Sequence, residues 1–138
     1  LFGDTIWNNI TFFKNKDDNG VMRKFNEVVK LSNLKSFIDS LPNKEDTNLG
    51  EGFSKVSGGQ AQRIGIARAL FISSDFLIFD ESTSALDSDN ENEVMKTINS
   101  LKKLKTIIVI SHRNGLFENC DKIYQIKDNC IYLKNKNE

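Results

Sequence analysis

The chain has 138 residues, of which 38% are hydrophobic, and its 19 basic side chains balance 19 acidic ones to zero net charge. That length can bury one modest core, while neutrality supplies no field that would gather nucleic acid or an anionic membrane. No run approaches the roughly 20 apolar residues of a bilayer-crossing helix, and Cys120 and Cys130 lack C-x-x-C spacing, so they read as reduced thiols of a cytosolic chain.

In chain order, Ile6 to Phe13 reads as a short irregular or helical piece and Lys14 to Asn19 as a polar loop. Val21, Met22, Phe25, Val28 and Val29 recur at helical spacing, and Leu34, Phe37, Ile38 and Leu41 repeat that spacing before Pro42 stops the chain. A small helical subdomain is expected here. Pro42 to Val56 is a polar, glycine-bearing connection between helices.

Val56 to Leu70 reads V-S-G-G-Q-A-Q-R-I-G-I-A-R-A-L. Ser57 can cap a helix and Gln60 stands three residues on, the spacing of a capping box. Gly58 and Gly59 leave the backbone N–H groups of that helix start open to a ligand, and free N–H groups at the positive end of a helix dipole favour a phosphate. Taken alone, Ser-x-x-Gln is satisfied by an ordinary capped helix. Arg63 and Arg68, further along, read as ion-pair partners only.

Phe76-Leu77-Ile78-Phe79 is an unbroken apolar run ending in Asp80-Glu81, the pattern of a strand buried on both faces with two carboxylates at its carboxyl end. Open parallel sheets bind ligands at that edge. Val94, Ile98 and Leu101 then mark an amphipathic helix, with Ser88 or Asp89 available as its cap. Thr106 to Ile110 is a second apolar run, ending in Ser111-His112, so the only histidine would leave a strand at the same rim. Strand, helix, strand implies a parallel βαβ unit. Asp121 to Ile126 and Cys130 to Leu133, flanking Lys127-Asp128-Asn129, read as a closing hairpin.

With these residues in order, the chain resembles the later part of an ATP-binding cassette (ABC) nucleotide-binding domain. Ser57-Gly58-Gly59-Gln60 resembles the signature motif, Phe76 to Glu81 the Walker B strand, Ser84-Ala85-Leu86-Asp87 the D-loop and His112 the switch histidine. Leu1-Phe2-Gly3-Asp4-Thr5-Ile6 resembles the segment just after the Q-loop glutamine. Thr47-Asn48-Leu49-Gly50-Glu51 resembles the T-x-x-G-E stretch of exporter-type members, although Phe53 stands where a glycine is often found. The resemblance implies an α/β fold: a partial P-loop NTPase (RecA-like) core with parallel strands, comprising residues 73–138, and a helical signature subdomain over 14–72. No G-x-x-x-x-G-K-S/T occurs in the 138 residues. The sequence is therefore read as a fragment cut mid-domain, lacking Walker A and inactive by itself.

The resemblance also implies roles and partners. Asp80, a hard oxygen ligand, would hold Mg2+ through coordinated water. Glu81 would orient or deprotonate the water that attacks the γ-phosphate of ATP, and His112 would hydrogen-bond that phosphate or hold the water. Ser57, Gly58, Gly59 and Gln60 would close over ATP carried by a second nucleotide-binding domain in a head-to-tail dimer, with Asp87 contacting that domain across the seam. Bland alternatives are a solvent-facing Glu81, a structural His112 and an Asp87 that caps the following helix. The expected whole is the ATPase of an exporter-type transporter, attached to a fused or separate transmembrane domain at the cytoplasmic face of a cell membrane. A chromosome-maintenance or DNA-repair ATPase is an alternative weakened by the lack of sustained heptads; a non-hydrolysing regulatory module is another, weakened by Glu81 and His112.

Overall fold

The computed structural model describes residues 1–50, 56–72, 75–80, 88–112 and 120–134. Helix α1 (Ile6–Thr11) starts where the Thr5 side chain accepts from the Asn8 N–H at 3.1 Å and stops at Phe12. Phe12 and Phe13 take positive φ of 54° and 62°, backbone values that bulky side chains disfavour. Helix α2 (Asn19–Leu31) is capped by Asp18, which accepts from the Gly20 and Val21 N–H groups at 2.7 and 3.2 Å. It therefore begins inside the stretch expected as loop. Its helical stripe packs as anticipated, with Phe25, Val28 and Val29 buried and Val21 and Met22 partly so. Helix α3 (Lys35–Ser40) ends before Pro42, whose preceding residue is steered toward extended backbone.

Helix α4 (Gly58–Phe71) is central: α1, α2 and α5 (Ser88–Leu101) all pack against it. It buries Ile64, Ile66, Ala67, Leu70 and Phe71, each large aliphatic contributing roughly 1.5–3 kcal/mol through removal from water. Trp7 and Phe25 meet with ring centroids 4.7 Å apart, and the Trp7 indole N–H donates to the Lys14 carbonyl at 3.0 Å. Val94, Ile98 and Leu101 of α5 are buried as their spacing predicted. The proposed caps are corrected, because the described helix begins at Ser88 and so holds Ser88 and Asp89 in its first turn.

Strand β1 (Phe76–Asp80) pairs in parallel with β2 (Thr106–Ile110), Phe76 opposite Thr106 and Asp80 opposite Ile110. With α5 between them in the chain, this is the expected βαβ unit. The expectation of a strand buried on both faces is not met. Leu77 and Phe79 join the helix-lined core, whereas Phe76 and Ile78 are 62% and 66% exposed. The reason is layering: helices cover one face of the pair, and on the other no layer packs among the described residues. Ile108 and Ile110 share that open face on β2.

Strands β3 (Ile123–Lys127) and β4 (Cys130–Lys134) form the expected antiparallel hairpin. Asp128 and Asn129 turn it with φ of 50° and 59°. Two consecutive positive φ values match the twist of the strands, and Asp and Asn tolerate them. Among the described residues no helix is long and apolar enough to cross a membrane.

Candidate functional site

The capping box at the start of α4 is formed in full. The Gln60 N–H donates to Ser57 Oγ at 3.2 Å, and the Ser57 N–H donates to Gln60 Oε1 at 2.9 Å. The Ala61 N–H reaches the Ser57 carbonyl at 2.9 Å. These bonds leave the Gly58 and Gly59 N–H groups without a partner among the described residues. Ser57 and Gly58 are exposed, whereas Gly59 is buried. An exposed serine beside the exposed Gly58 at a helix start suits a phosphate oxygen.

Asp80 closes β1 and is exposed, and His112, also exposed, follows β2 by two residues. Because the strands are parallel and Asp80 is opposite Ile110, both side chains leave the sheet at its carboxyl edge. The exposed Asp80 carboxylate there fits a hard cation that keeps most of its water, as Mg2+ does. Among the described residues no cluster of three or more His, Cys, Asp or Glu forms a metal cage. Glu81, Asp87 and the rest of Ser84-Ala85-Leu86 lie outside the described residues, as do Glu51 and Phe53 of the exporter-like stretch.

The beginning of that stretch is described. Thr5 and Asn48 form an antiparallel bridge, the Ile6 N–H reaches the Thr47 carbonyl at 3.1 Å, and the Leu49 N–H reaches the Asp4 carbonyl at 3.0 Å. Leu49 is fully buried. Residues 47–49 are thus tied to the N-terminal end of α1.

One group, Asn9, was not singled out from the sequence. Asn9, fully buried, donates from Nδ2 to the carbonyls of Thr5 at 2.9 Å, Phe2 at 3.0 Å and Asp4 at 3.3 Å. Its Oδ1 accepts from the Phe2 N–H at 2.8 Å and from Arg68 Nη2 at 2.7 Å. Arg68, expected as an ion-pair partner, binds Asn9 instead; its Nε donates to the Asn9 carbonyl at 2.6 Å and its guanidinium lies 4.5 Å from the Phe2 ring centroid. A signal existed, since Asn9 stands beside core position Ile10 and three residues after Ile6. Arg63 does form an ion pair, Nη1 to Glu93 Oε2 at 2.7 Å, which joins α4 to α5.

A family model described as ABC transporter matches residues 2–84, more than half of the chain. The chain belongs to the ABC transporter family. Among curated ABC proteins, an ATP-dependent lipid A-core flippase of Desulfotalea psychrophila is 43% identical over all of this chain, which covers 24% of that protein. ABC transporter B family member 13 of Arabidopsis thaliana is 42% identical over 93% of this chain and 10% of its own length. The solved structure of a bacterial Atm1-family ABC exporter with ATP bound superimposes with a TM-score of 0.72 at 35% identity, over 90% of this chain and 21% of the other. The chain therefore spans about a quarter or less of the relatives it matches, and its fold is that of a partial ABC P-loop NTPase domain.

Proposed function

We propose that this chain is the signature-to-switch portion of the ATP-hydrolysing domain of an exporter-type ABC transporter. The observation that carries the proposal is the parallel register that brings Asp80 and the sole histidine to one sheet edge, alongside a completed signature cap. Relatives named as a flippase and an exporter support the subtype.

In this reading Ser57 Oγ and the Gly58 and Gly59 amides bind the γ-phosphate of ATP held by the phosphate loop of a second nucleotide-binding domain. Asp80 holds Mg2+, which when bound offsets phosphate charge. Glu81 takes a proton from the attacking water, His112 donates to the γ-phosphate, and Asp87 touches the second domain across the seam. Gln60 keeps the signature turn closed through its bond to the Ser57 N–H. The cap and helices of residues 14–72 serve as the signature subdomain and residues 73–138 as part of the core. The exporter-like stretch that begins at residues 47–49, which are tied to α1, faces the transmembrane domain, and the assembly works at the cytoplasmic side of a membrane.

Mg-ATP hydrolysis tests this, measured on the chain alone and on the full-length parent protein with and without Glu81→Gln. The expected result is silence from the chain alone and hydrolysis by the parent that falls at least about 100-fold in the variant, since a positioned general base contributes roughly 10²–10⁴-fold. Hydrolysis by the parent that is indifferent to Glu81→Gln would overturn the assignment.

A further inference from the structure

Gly59 is buried, and α5 supplies its neighbour. A Cβ placed on Gly59 would lie 2.5 Å from Asn90 Oδ1 and 3.0 Å from both Asn90 Cβ and Cγ. Turning the side chain away would relieve the Oδ1 and Cγ contacts but not the Cβ one, because the Asn90 Cβ moves with the α5 backbone. One turn along α4, Arg63 is 6% exposed and is held by Glu93, one turn along α5. Positions 59 and 63 share a face of α4, and positions 90 and 93 share a face of α5. The helices thus meet along a two-point seam whose first point is the signature turn itself. Gly65, by contrast, has open space where its Cβ would be, so the close approach belongs to Gly59 and not to every glycine of α4.

We propose that Asn90 is a positioning residue for the signature turn, and that position 59 is glycine because the Asn90 side chain rests on its Cα. Asn90 follows Asp87 by three residues. The first turn of α5 therefore sets the placement of the Gly58 and Gly59 amides, and a shift of α5 is passed to the signature turn by contact. The catalytic consequence rests on the function proposed above; the packing claim does not.

The test is a set of double variants in the full-length parent protein, with KM for ATP, kcat and the thermal unfolding midpoint measured together. Gly59→Ala is expected to raise KM about tenfold or more, since misplacing a binding group by about 1 Å can cost up to roughly 100-fold. Adding Asn90→Gly to Gly59→Ala should bring KM back to within about threefold of Asn90→Gly alone, whereas adding Asn90→Ala should rescue less, because the Asn90 Cβ is itself one of the close atoms. A Gly59→Ala defect unchanged by Asn90→Gly would overturn the proposal and leave ligand approach as the reason for the glycine. If the parent protein hydrolyses no ATP, the functional reading fails by itself. The packing claim is then read from the unfolding midpoints, where recovery in the Gly59→Ala, Asn90→Gly double variant supports it and absence of recovery refutes it.

Discussion

Replacing Asn9 by alanine removes the polar link between α1, the N-terminal segment and α4. Five hydrogen bonds to the Asn9 side chain are lost, one of them charge-assisted from Arg68 and one long at 3.3 Å. At about 1 kcal/mol net for each neutral bond and somewhat more for the charged one, the gross loss is about 4–6 kcal/mol. The Phe2 N–H and the freed carbonyls are only partly buried, so water recovers some of this, and a net destabilisation of about 2–4 kcal/mol is expected. For a chain of this size roughly 3 °C is lost per kcal/mol, giving a fall in thermal midpoint of about 6–12 °C. Thermal unfolding followed by circular dichroism, with Lys35→Ala on the exposed face of α3 as control, measures it. A fall below about 2 °C would refute the view that Asn9 holds α1 and Arg68 in place.

The Ser57→Ala variant loses one cap bond and should cost only about 1 kcal/mol of stability, while ATP-dependent dimerisation of the parent protein, followed by size-exclusion chromatography, should be lost; unchanged dimerisation would assign Ser57 a purely structural role. The exposed apolar face of β1 and β2 is expected to drive self-association of the isolated chain; Ile78→Lys places a charge there and should lower light scattering, and unchanged scattering would refute a role for this face. Acid should weaken the Lys16–Glu45 link of 2.8 Å. Burial pushes the Glu45 pKa up, but the hydrogen bond from Lys16, a backbone hydrogen bond and the Lys16 charge together outweigh it and leave the pKa below its ordinary value of 4.5. A carboxyl depressed by folding stabilises above its unfolded pKa and loses that contribution as pH falls through the folded value. The stability gap between wild type and Glu45→Gln should therefore close between about pH 5 and 3, by less than about 1 kcal/mol because the pair is partly solvated; a gap that widens there would reverse the reasoning.

The sequence by itself determined the elements whose causes are local. The Ser57 and Gln60 box needs only three residues of spacing, and the stripes in α2 and α5 need only a 3.6-residue period. Asp128-Asn129 needs only side chains that tolerate positive φ. The parallel order of β1 and β2 follows from the helix between them, which by itself places Asp80 and His112 at one edge. Tertiary structure alone decided what depends on distant neighbours. Phe76-Leu77-Ile78-Phe79 is uniformly apolar, so its pattern could not tell a covered face from an open one; only the placement of the helices did so. Asn9 and Arg68 are 59 positions apart, and neither residue type announces a partner at that range. Gly59 looked like a glycine cleared for a ligand, because spacing along one helix carries no information about a second helix lying against it. The Asn90 side chain that buries it is a fact of helix-to-helix distance, which no local pattern encodes.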